Sequence, residues 1–228
     1  MKKLGLTNNQ LKILAMITMT MDHVGFALFP SVVWLRILGR IAFPIYAFMI
    51  AEGCKHTRSM PRYFGSMALM AALCQIVYFV FMDSLYMCIL VTFSLSILLI
   101  GLLKFAQKKQ SAFSTLLLLA GILSAFFLCE ILPGRLPNTD FWIDYGFIGV
   151  MIPVCLYCAK DQSSKLTVLI LALTCMATIS GGLQWWSLLA VPLLLLYNGR
   201  RGKKNMKWFF YFFYPIHLVV IQAVAYLL

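Results

Sequence analysis

Gln10–Phe29, with the sequence QLKILAMITMTMDHVGFALF, is an apolar segment long enough for one membrane-spanning helix. It nevertheless contains Lys12, Asp22 and His23. Ionisable side chains inside a membrane span are costly and mark functional sites. Lys12 and His23 are eleven residues apart, so a helix places them on one face, about 16 Å apart along its axis. This shared face indicates a binding site for an elongated ligand.

The composition of the whole chain is that of a membrane protein. Of the 228 residues, 62% are hydrophobic and 11% are charged, and the mean hydropathy is +0.90. Apolar runs recur along the chain, which predicts an all-α, polytopic protein with one domain over residues 1–228. We predict nine transmembrane helices, at residues 10–29, 34–54, 63–82, 85–103, 112–132, 141–159, 165–181, 183–198 and 207–228.

The net charge of +12 comes from 19 Lys and Arg against 7 Asp and Glu. If every span crosses, fifteen of the basic residues lie on one side, whereas Arg135 is the one basic residue in the opposite loops. The positive-inside rule then puts the N-terminus in the cytoplasm and the C-terminus outside. We therefore predict a protein of the inner membrane. The same rule explains the positive net charge, so we predict no nucleic-acid partner. The fifteen are Lys2, Lys3, Lys55, Arg58, Arg62, Lys104, Lys108, Lys109, Lys160, Lys165, Arg200, Arg201, Lys203, Lys204 and Lys207.

Residues 165–198 are short for two crossings. As one helix, residues 166–197 rise about 48 Å, against roughly 60 Å for two full spans. Basic clusters on both sides require an even number of crossings, and Gly181-Gly182 can form a tight turn. We expect a compact hairpin of short spans or a re-entrant pair.

The second span carries two basic residues at membrane depth. Arg36 and Arg40 are four residues apart and share a helix face, and Pro44 is expected to kink the helix after them. Asp22 is about 100° around the helix from His23. It is therefore predicted to pair with Arg36 or Arg40, or to orient His23 through a local bend.

The last predicted span contributes a second histidine, His217, which can converge with His23. A histidine can accept a proton from a hydroxyl or amine near neutral pH, and arginine or lysine can hold phosphates or a developing oxyanion. The seven cysteines show no recurring spacing, so we predict neither a disulfide framework nor a metal site. These residues favour proton-transfer chemistry at membrane depth.

Several motifs resemble the TraX family, whose named member acetylates the N-terminus of the F-type conjugative pilin. They are Leu11–His23, Arg36–Phe48, Glu52-Gly53 and Phe213–Leu218, with a looser match at Asp144–Gly146. More remotely, Lys12 and His23 are similar to the Lys/Arg-x10-His signature of the membrane acyltransferase-3 superfamily, as Tyr214-x-x-His217 is to its late Tyr-x-x-His motif.

These resemblances imply an integral-membrane acetyltransferase that takes acetyl-CoA from the cytoplasm and has His23 as its catalytic residue. We expect Asp22 or His217 to assist His23. Lys12 is expected to steer the CoA phosphates, and Arg36 and Arg40 to stabilise the site or bind donor or acceptor. The acceptor implied is a pilin-like peptide, and a sugar or other envelope acceptor is an alternative.

Two other functions fit the same residues. A proton-coupled transporter would use Asp22, His23, Arg40 and His217 as a relay or substrate site, although no internal repeat is evident. A scaffold for an envelope complex would need none of them for activity.

Overall fold

The computed structural model describes residues 5–202 and 206–227, and these ranges are helical with short connections. Four residues of the predicted basic clusters lie outside the described ranges, namely Lys2, Lys3, Lys203 and Lys204. The helices are α1 (Asn8–Ala27), α2 (Val33–Gly39), α3 (Ala42–His56), α4 (Met60–Met82), α5 (Ile89–Lys109), α6 (Ala112–Phe126), a π-helix (Phe127–Ile131), α7 (Leu132–Arg135), α8 (Gly146–Cys158), α9 (Gln162–Ser180), a 3-10 helix (Gly182–Leu189), α10 (Ala190–Leu195) and α11 (Lys207–Leu227).

The apolar helices make this a membrane protein by length and composition. Within the described ranges, six helical stretches are long and apolar enough to cross a membrane, and two shorter apolar helices cover Gly146–Cys158 and Gly182–Leu195. Each of the nine predicted spans overlaps helix, but α1, which covers most of the predicted span at residues 10–29, is not among the six stretches. The number nine and the orientation of the termini stay predictions. The six stretches are Val33–His56, Met60–Met82, Ile89–Lys109, Ala112–Arg135, Gln162–Ser180 and Trp208–Leu227.

The chain divides into two compact units. Residues 1–49 and 159–228 form the first unit, and residues 50–158 form the second. In the first unit, α1 packs against α2 and α11, while the 3-10 helix packs against α9 and α2. In the second unit, α5 packs against α4, α6 and α8. All the candidate site residues belong to the first unit.

The predicted second span is interrupted between α2 and α3. Arg40 and Ile41 form a turn there, and they lie four and three residues before Pro44. Pro44 has no N–H, so it cannot bond the carbonyl of Arg40, and the helical ladder is broken at that point. The predicted disturbance is therefore present, one turn before the proline, and Pro44 lies in the first turn of α3, where a missing N–H is tolerated.

Residues 162–195 form a hairpin. Gly181 and Gly182 make its turn with φ of 66° and 53°, and Gln162 Nε2 donates to the carbonyl of Leu194 at 2.9 Å, which ties the open ends together. The α9 arm rises about 28 Å. The return arm reaches about 25 Å in fewer residues because eight of them are in a 3-10 helix, which rises about 2 Å per residue.

The predicted span at residues 141–159 begins too early. The helix α8 starts only at Gly146. Ile143 pairs with Met87 in an isolated β-bridge, and Tyr145 has φ of 62°, which a right-handed helix cannot accommodate. Long-range backbone pairing thus replaces the first turn that hydropathy predicts.

Candidate functional site

The side chain of His23 on α1 meets that of His217 on α11. His23 Nδ1 and His217 Nε2 are 2.7 Å apart, and the two rings are stacked at 27° with centroids 4.9 Å apart. His217 is buried, with 6% of its surface exposed, whereas His23 is half-buried. The convergence of the first and last helices that the sequence predicts is therefore present.

The backbone fixes the proton positions in this pair. His217 Nδ1 lies 3.0 Å from the carbonyl of Phe213, and a carbonyl only accepts, so Nδ1 carries a proton. A neutral His217 then has a lone pair on Nε2, which accepts from the Nδ1–H of His23. Neutral His23 is left with its own lone pair on Nε2. This assignment makes Nε2 of His23 the basic nitrogen of the pair.

Aromatic rings hold His217 in place. The Phe213 ring stacks on it at 8° with centroids 5.1 Å apart, and the Tyr214 ring meets it edge-on at 5.2 Å. Tyr214 also lies edge-on to His23, at 6.3 Å. Since a helix places residues three and four apart on one face, Phe213 and Tyr214 both flank His217, and they restrict its rotation.

Asp22 contacts a different helix from its neighbour His23. Its Oδ1 lies 3.1 Å from Arg36 Nε and 3.5 Å from Arg40 Nη2, which are ion-pair distances. All three side chains are largely shielded, with 17 to 23% exposed. The predicted pairing of Asp22 with the arginines is present, and the roughly 100° between successive residues explains why Asp22 points to α2 while His23 points to α11.

Glycines allow α1 and α2 to approach closely, a feature that the charged and apolar patterns of the sequence did not predict. A Cβ built on Gly39 would lie 2.2 Å from the Cβ of Asp22, and one on Gly25 would lie 2.8 Å from the Cβ of Leu35. In the sequence, a glycine between Arg36 and Arg40 could have indicated this close approach of the two helices. The close approach lets a short Asp side chain reach both guanidinium groups.

Lys12 lies near the start of α1. It is about three helical turns from His23 on the same helix. Its Nζ is 5.3 Å from the centroid of the Phe210 ring on α11, and the positive charge of Arg201 acts on it. The segment around Arg201 is fixed to α1, because Asn8 N–H and Asn9 N–H donate to the carbonyls of Arg200 and Arg201 at 2.8 and 3.2 Å. Lys12 and the basic segment Arg200-Arg201 thus share one end of the helix.

No metal site is found in the part of the chain that the structure describes, since no three His, Cys, Asp or Glu side chains gather there. All seven cysteines are free thiols. The side chains that gather at the site are the histidine pair and the charged groups of Asp22, Arg36 and Arg40.

Comparison with known proteins identifies the family. The family model described as TraX protein matches residues 7–225, a range that contains α1, all but the last two residues of α11 and every site residue named above. The chain belongs to the TraX family. The resemblance seen in the sequence is thereby confirmed, whereas the remoter likeness to the acyltransferase-3 superfamily stays a prediction.

Two relatives are similar to this TraX-family protein. A probable fimbrial assembly protein FimC, serogroup H1, from Dichelobacter nodosus is 23% identical over 93% of both chains. An uncharacterized protein from Rickettsia prowazekii (strain Madrid E) is 52% identical over 44 residues, 18% of each chain. No solved structure matches the chain.

Proposed function

We propose that this TraX-family protein is a membrane acetyltransferase that moves acetyl from acetyl-CoA to an amine or hydroxyl acceptor, with His23 as general base. The observation that carries the proposal is the hydrogen-bonded chain from the Phe213 carbonyl through His217 to His23. These two hydrogen bonds leave the lone pair of His23 on Nε2, where it can take a proton.

The reaction then needs one proton acceptor and no covalent enzyme intermediate. His23 Nε2 removes the proton from the acceptor as its nitrogen or oxygen attacks the thioester carbonyl, and a tetrahedral intermediate forms. The carbon–sulfur bond breaks, and the proton passes from His23 to the sulfur of CoA. His217 shares the positive charge on the imidazole through the 2.7 Å contact.

The charged residues supply electrostatic stabilisation. Arg36 and Arg40 are close enough to act on charge at His23, so they favour the oxyanion that develops on the thioester carbonyl. Asp22 holds both arginines against α1 and acts as a positioning residue. Lys12, about 16 Å from His23 along the helix, binds the phosphates of CoA at the other end.

The family and the fimbrial relative favour a pilin-like peptide as the acceptor. An N-terminal amine is a suitable nucleophile once it loses its proton to a base. An envelope saccharide, with a hydroxyl in place of the amine, would use the same step. The acceptor assay must therefore include both classes.

The cellular arrangement we propose is nine crossings of the inner membrane, with the N-terminus in the cytoplasm and the C-terminus outside. The one-sided distribution of basic residues supports it. Lys12 near the start of α1 then faces the cytoplasmic pool of acetyl-CoA. His23, farther along, lies nearer the opposite surface.

The test is acetyl transfer by purified protein in lipid nanodiscs, with radiolabelled acetyl-CoA and with pilin N-terminal peptides or envelope saccharides as acceptors. We expect acceptor-dependent labelling that His23→Ala abolishes. His56→Ala is the matched control, because His56 is 76% exposed and pairs only loosely with Glu52 at 3.7 Å. Labelling that survives His23→Ala contradicts the role of His23. Proton-coupled solute uptake without any acetyl-CoA dependence would favour the transporter.

A further inference from the structure

One lysine at an end of the second unit lies half-buried against three other helices. Lys104, on α5, donates from Nζ to the carbonyl of Cys54 in the last turn of α3 at 2.5 Å. The same Nζ lies 3.8 Å from the sulfur of Met60 at the start of α4. It is also 5.3 Å from the centroid of the Tyr157 ring, near the end of α8. These contacts bring the ends of four helices together around one positive charge.

A second positive charge lies at the same aromatic ring. The Nζ of Lys55, in the last turn of α3, is 5.9 Å from the centroid of the Tyr157 ring. Both ammonium groups are thus within the range of about 6 Å that is typical of a cation–π contact. Two like charges held at one ring repel each other. An anion beside the ring would relieve this repulsion.

The charge at this end of the second unit is strongly positive, whatever ion pairs form within it. Residues 50–62 and 101–111 contain six basic residues and one acidic residue, Glu52, which itself lies 3.7 Å from His56. Lys104 has no carboxylate at ion-pair distance in the part of the chain that the structure describes. One carboxylate cannot neutralise six cations, so an anionic ligand is favoured here. The six are Lys55, Arg58, Arg62, Lys104, Lys108 and Lys109.

This cluster lies where two helices of membrane length end. Both α4 and α5 are long and apolar enough to cross a membrane, and they pack against each other. The short connection at residues 83–88 makes them antiparallel, so the start of α4 and the end of α5 lie at one level. Lysine and tyrosine side chains at the ends of membrane-spanning helices reach the headgroup layer. Lipid phosphates are therefore the anions nearest to this cluster.

The inner lysines are open to that layer. Lys55 and Lys104 are each half-buried, so part of both side chains stays accessible. Lys108 is exposed and follows Lys104 by four residues, which places it on the same face of α5, about 6 Å farther along. Leu98 and Phe105 are exposed apolar residues on α5, and they offer a surface for acyl chains beside the charges.

We propose that Lys55, Lys104 and Tyr157 form a binding site for the phosphodiester of an anionic phospholipid. The two ammonium groups donate to phosphate oxygens, while the Cys54 carbonyl and the Tyr157 ring hold Lys104 in place. Basic pockets between transmembrane helices bind anionic headgroups in this way. The site is independent of acetyl transfer, and it lies wholly within the second unit.

The experiment measures the binding of phosphatidylglycerol to the full-length protein by native mass spectrometry, with zwitterionic phosphatidylcholine as the reference lipid. We expect Lys104→Gln and Lys55→Gln each to raise the Kd for phosphatidylglycerol about fivefold, the usual effect of one lysine near an anionic lipid. Lys109→Gln is the matched control, because it removes the same charge from the same helix end about 140° around α5 from Lys104. Its Kd should stay within about twofold of the parent, and the binding of phosphatidylcholine should change in none of the variants.

Thermal unfolding in detergent without added lipid checks that the variants fold. Because Lys104 also caps α3, its loss can lower the Tm, and Lys55→Gln, which keeps the hydrogen bond to Cys54, then decides the test. Unchanged Kd in folded variants would overturn the site. An equal loss of binding in Lys109→Gln would overturn it too, since only the overall positive charge would then matter. Displacement of phosphatidylglycerol by inorganic phosphate or by CoA would overturn the lipid assignment, because the site would then take a soluble phosphate.

Discussion

His23 and His217 are separated by 194 positions in the chain, yet their facing ring nitrogens are 2.7 Å apart. The contact joins α1 to α11 within one compact unit. Because the Phe213 carbonyl fixes the tautomer of His217, it also fixes that of His23. A backbone group on the last helix thereby decides which nitrogen on the first helix is basic.

The first prediction concerns the two histidines. His23→Ala should lower kcat for acetyl transfer about a hundredfold to ten-thousandfold, the usual contribution of a general base. Exogenous imidazole should restore part of the activity of His23→Gly, since it can occupy the vacated space. His217→Phe keeps a flat ring against Phe213 but removes the acceptor for His23 Nδ1–H, so kcat should fall about a hundredfold or more.

The measurement for the histidines is steady-state kinetics together with a pH–rate profile for each variant. A positioning role for His217 predicts that its replacement changes the position of the acidic limb of the profile. A merely structural role would leave that limb unchanged. Equal kcat in His217→Phe and the parent protein would refute the coupled pair.

The second prediction is that Asp22 positions the two arginines and does not take part in the reaction itself. Asp22→Asn leaves two guanidinium groups without the carboxylate that lies 3.1 Å from Arg36 and 3.5 Å from Arg40. The free energy of unfolding should fall by about 3 kcal/mol, the scale for breaking a shielded ion pair. The kcat of the protein that remains folded should change less than tenfold. Chemical denaturation and a double-mutant cycle with Arg40→Gln test this, and additive effects would show that the pair does not interact.

The third prediction uses the contact between α1 and α2. Gly39→Ala would place a Cβ 2.2 Å from that of Asp22, so the helices must separate. We expect a loss of about 1–3 kcal/mol in stability, typical of overpacking, and weaker activity because the arginines move. Gly65→Ala is the matched control, because a Cβ at Gly65 in α4 would lie within 4 Å of no atom in the part of the chain that the structure describes, and alanine favours helix. Thermal unfolding of the two variants should move in opposite directions, and a parallel loss would contradict the clash.

The fourth prediction concerns acid stability in the second unit. The Asp140 carboxylate accepts from Ser84 Oγ at 2.5 Å and from the N–H of Leu85 at 2.8 Å. These bonds lower the pKa of Asp140 below its ordinary value of 3.8. Their contribution to stability is therefore complete above the ordinary pKa and is lost as the pH falls through the lower folded pKa. The protection factor of the Leu85 amide, the ratio of its intrinsic to its observed exchange rate, should fall only below about pH 4.

In Asp140→Asn, the Leu85 amide should exchange faster at neutral pH as well, and the acid dependence should disappear. Asp83→Asn serves as the control. Asp83 has φ of 45°, a conformation that asparagine tolerates equally well, and its exchange profile should match the parent. If the exchange of the Leu85 amide in Asp140→Asn still changed at acid pH, a group other than Asp140 would be responsible for the change.

The sequence by itself determined the helices and the family. Apolar runs predicted a helical membrane protein, since helix formation in an apolar environment is governed by local composition and by backbone hydrogen bonds within the segment. The number of nine spans stays a prediction. The spacing of Lys12, His23, Arg36 and Arg40 identified the charged faces, and the 100° offset correctly separated Asp22 from His23. The motifs at both ends of the chain indicated the TraX family, which the match over residues 7–225 confirmed.

Only the tertiary structure decided how these faces meet. The 2.7 Å contact between His23 and His217 depends on α11 packing against α1, and no local pattern specifies that neighbour. The late start of α8 arises from the pairing of Ile143 with Met87, which lies more than fifty residues away. On the 3-10 helix, the buried Nε2 of Gln184 and Oγ of Ser187 have no hydrogen-bond partner among the described residues. The sequence could not predict this, because burial and hydrogen bonding depend on the folded surroundings.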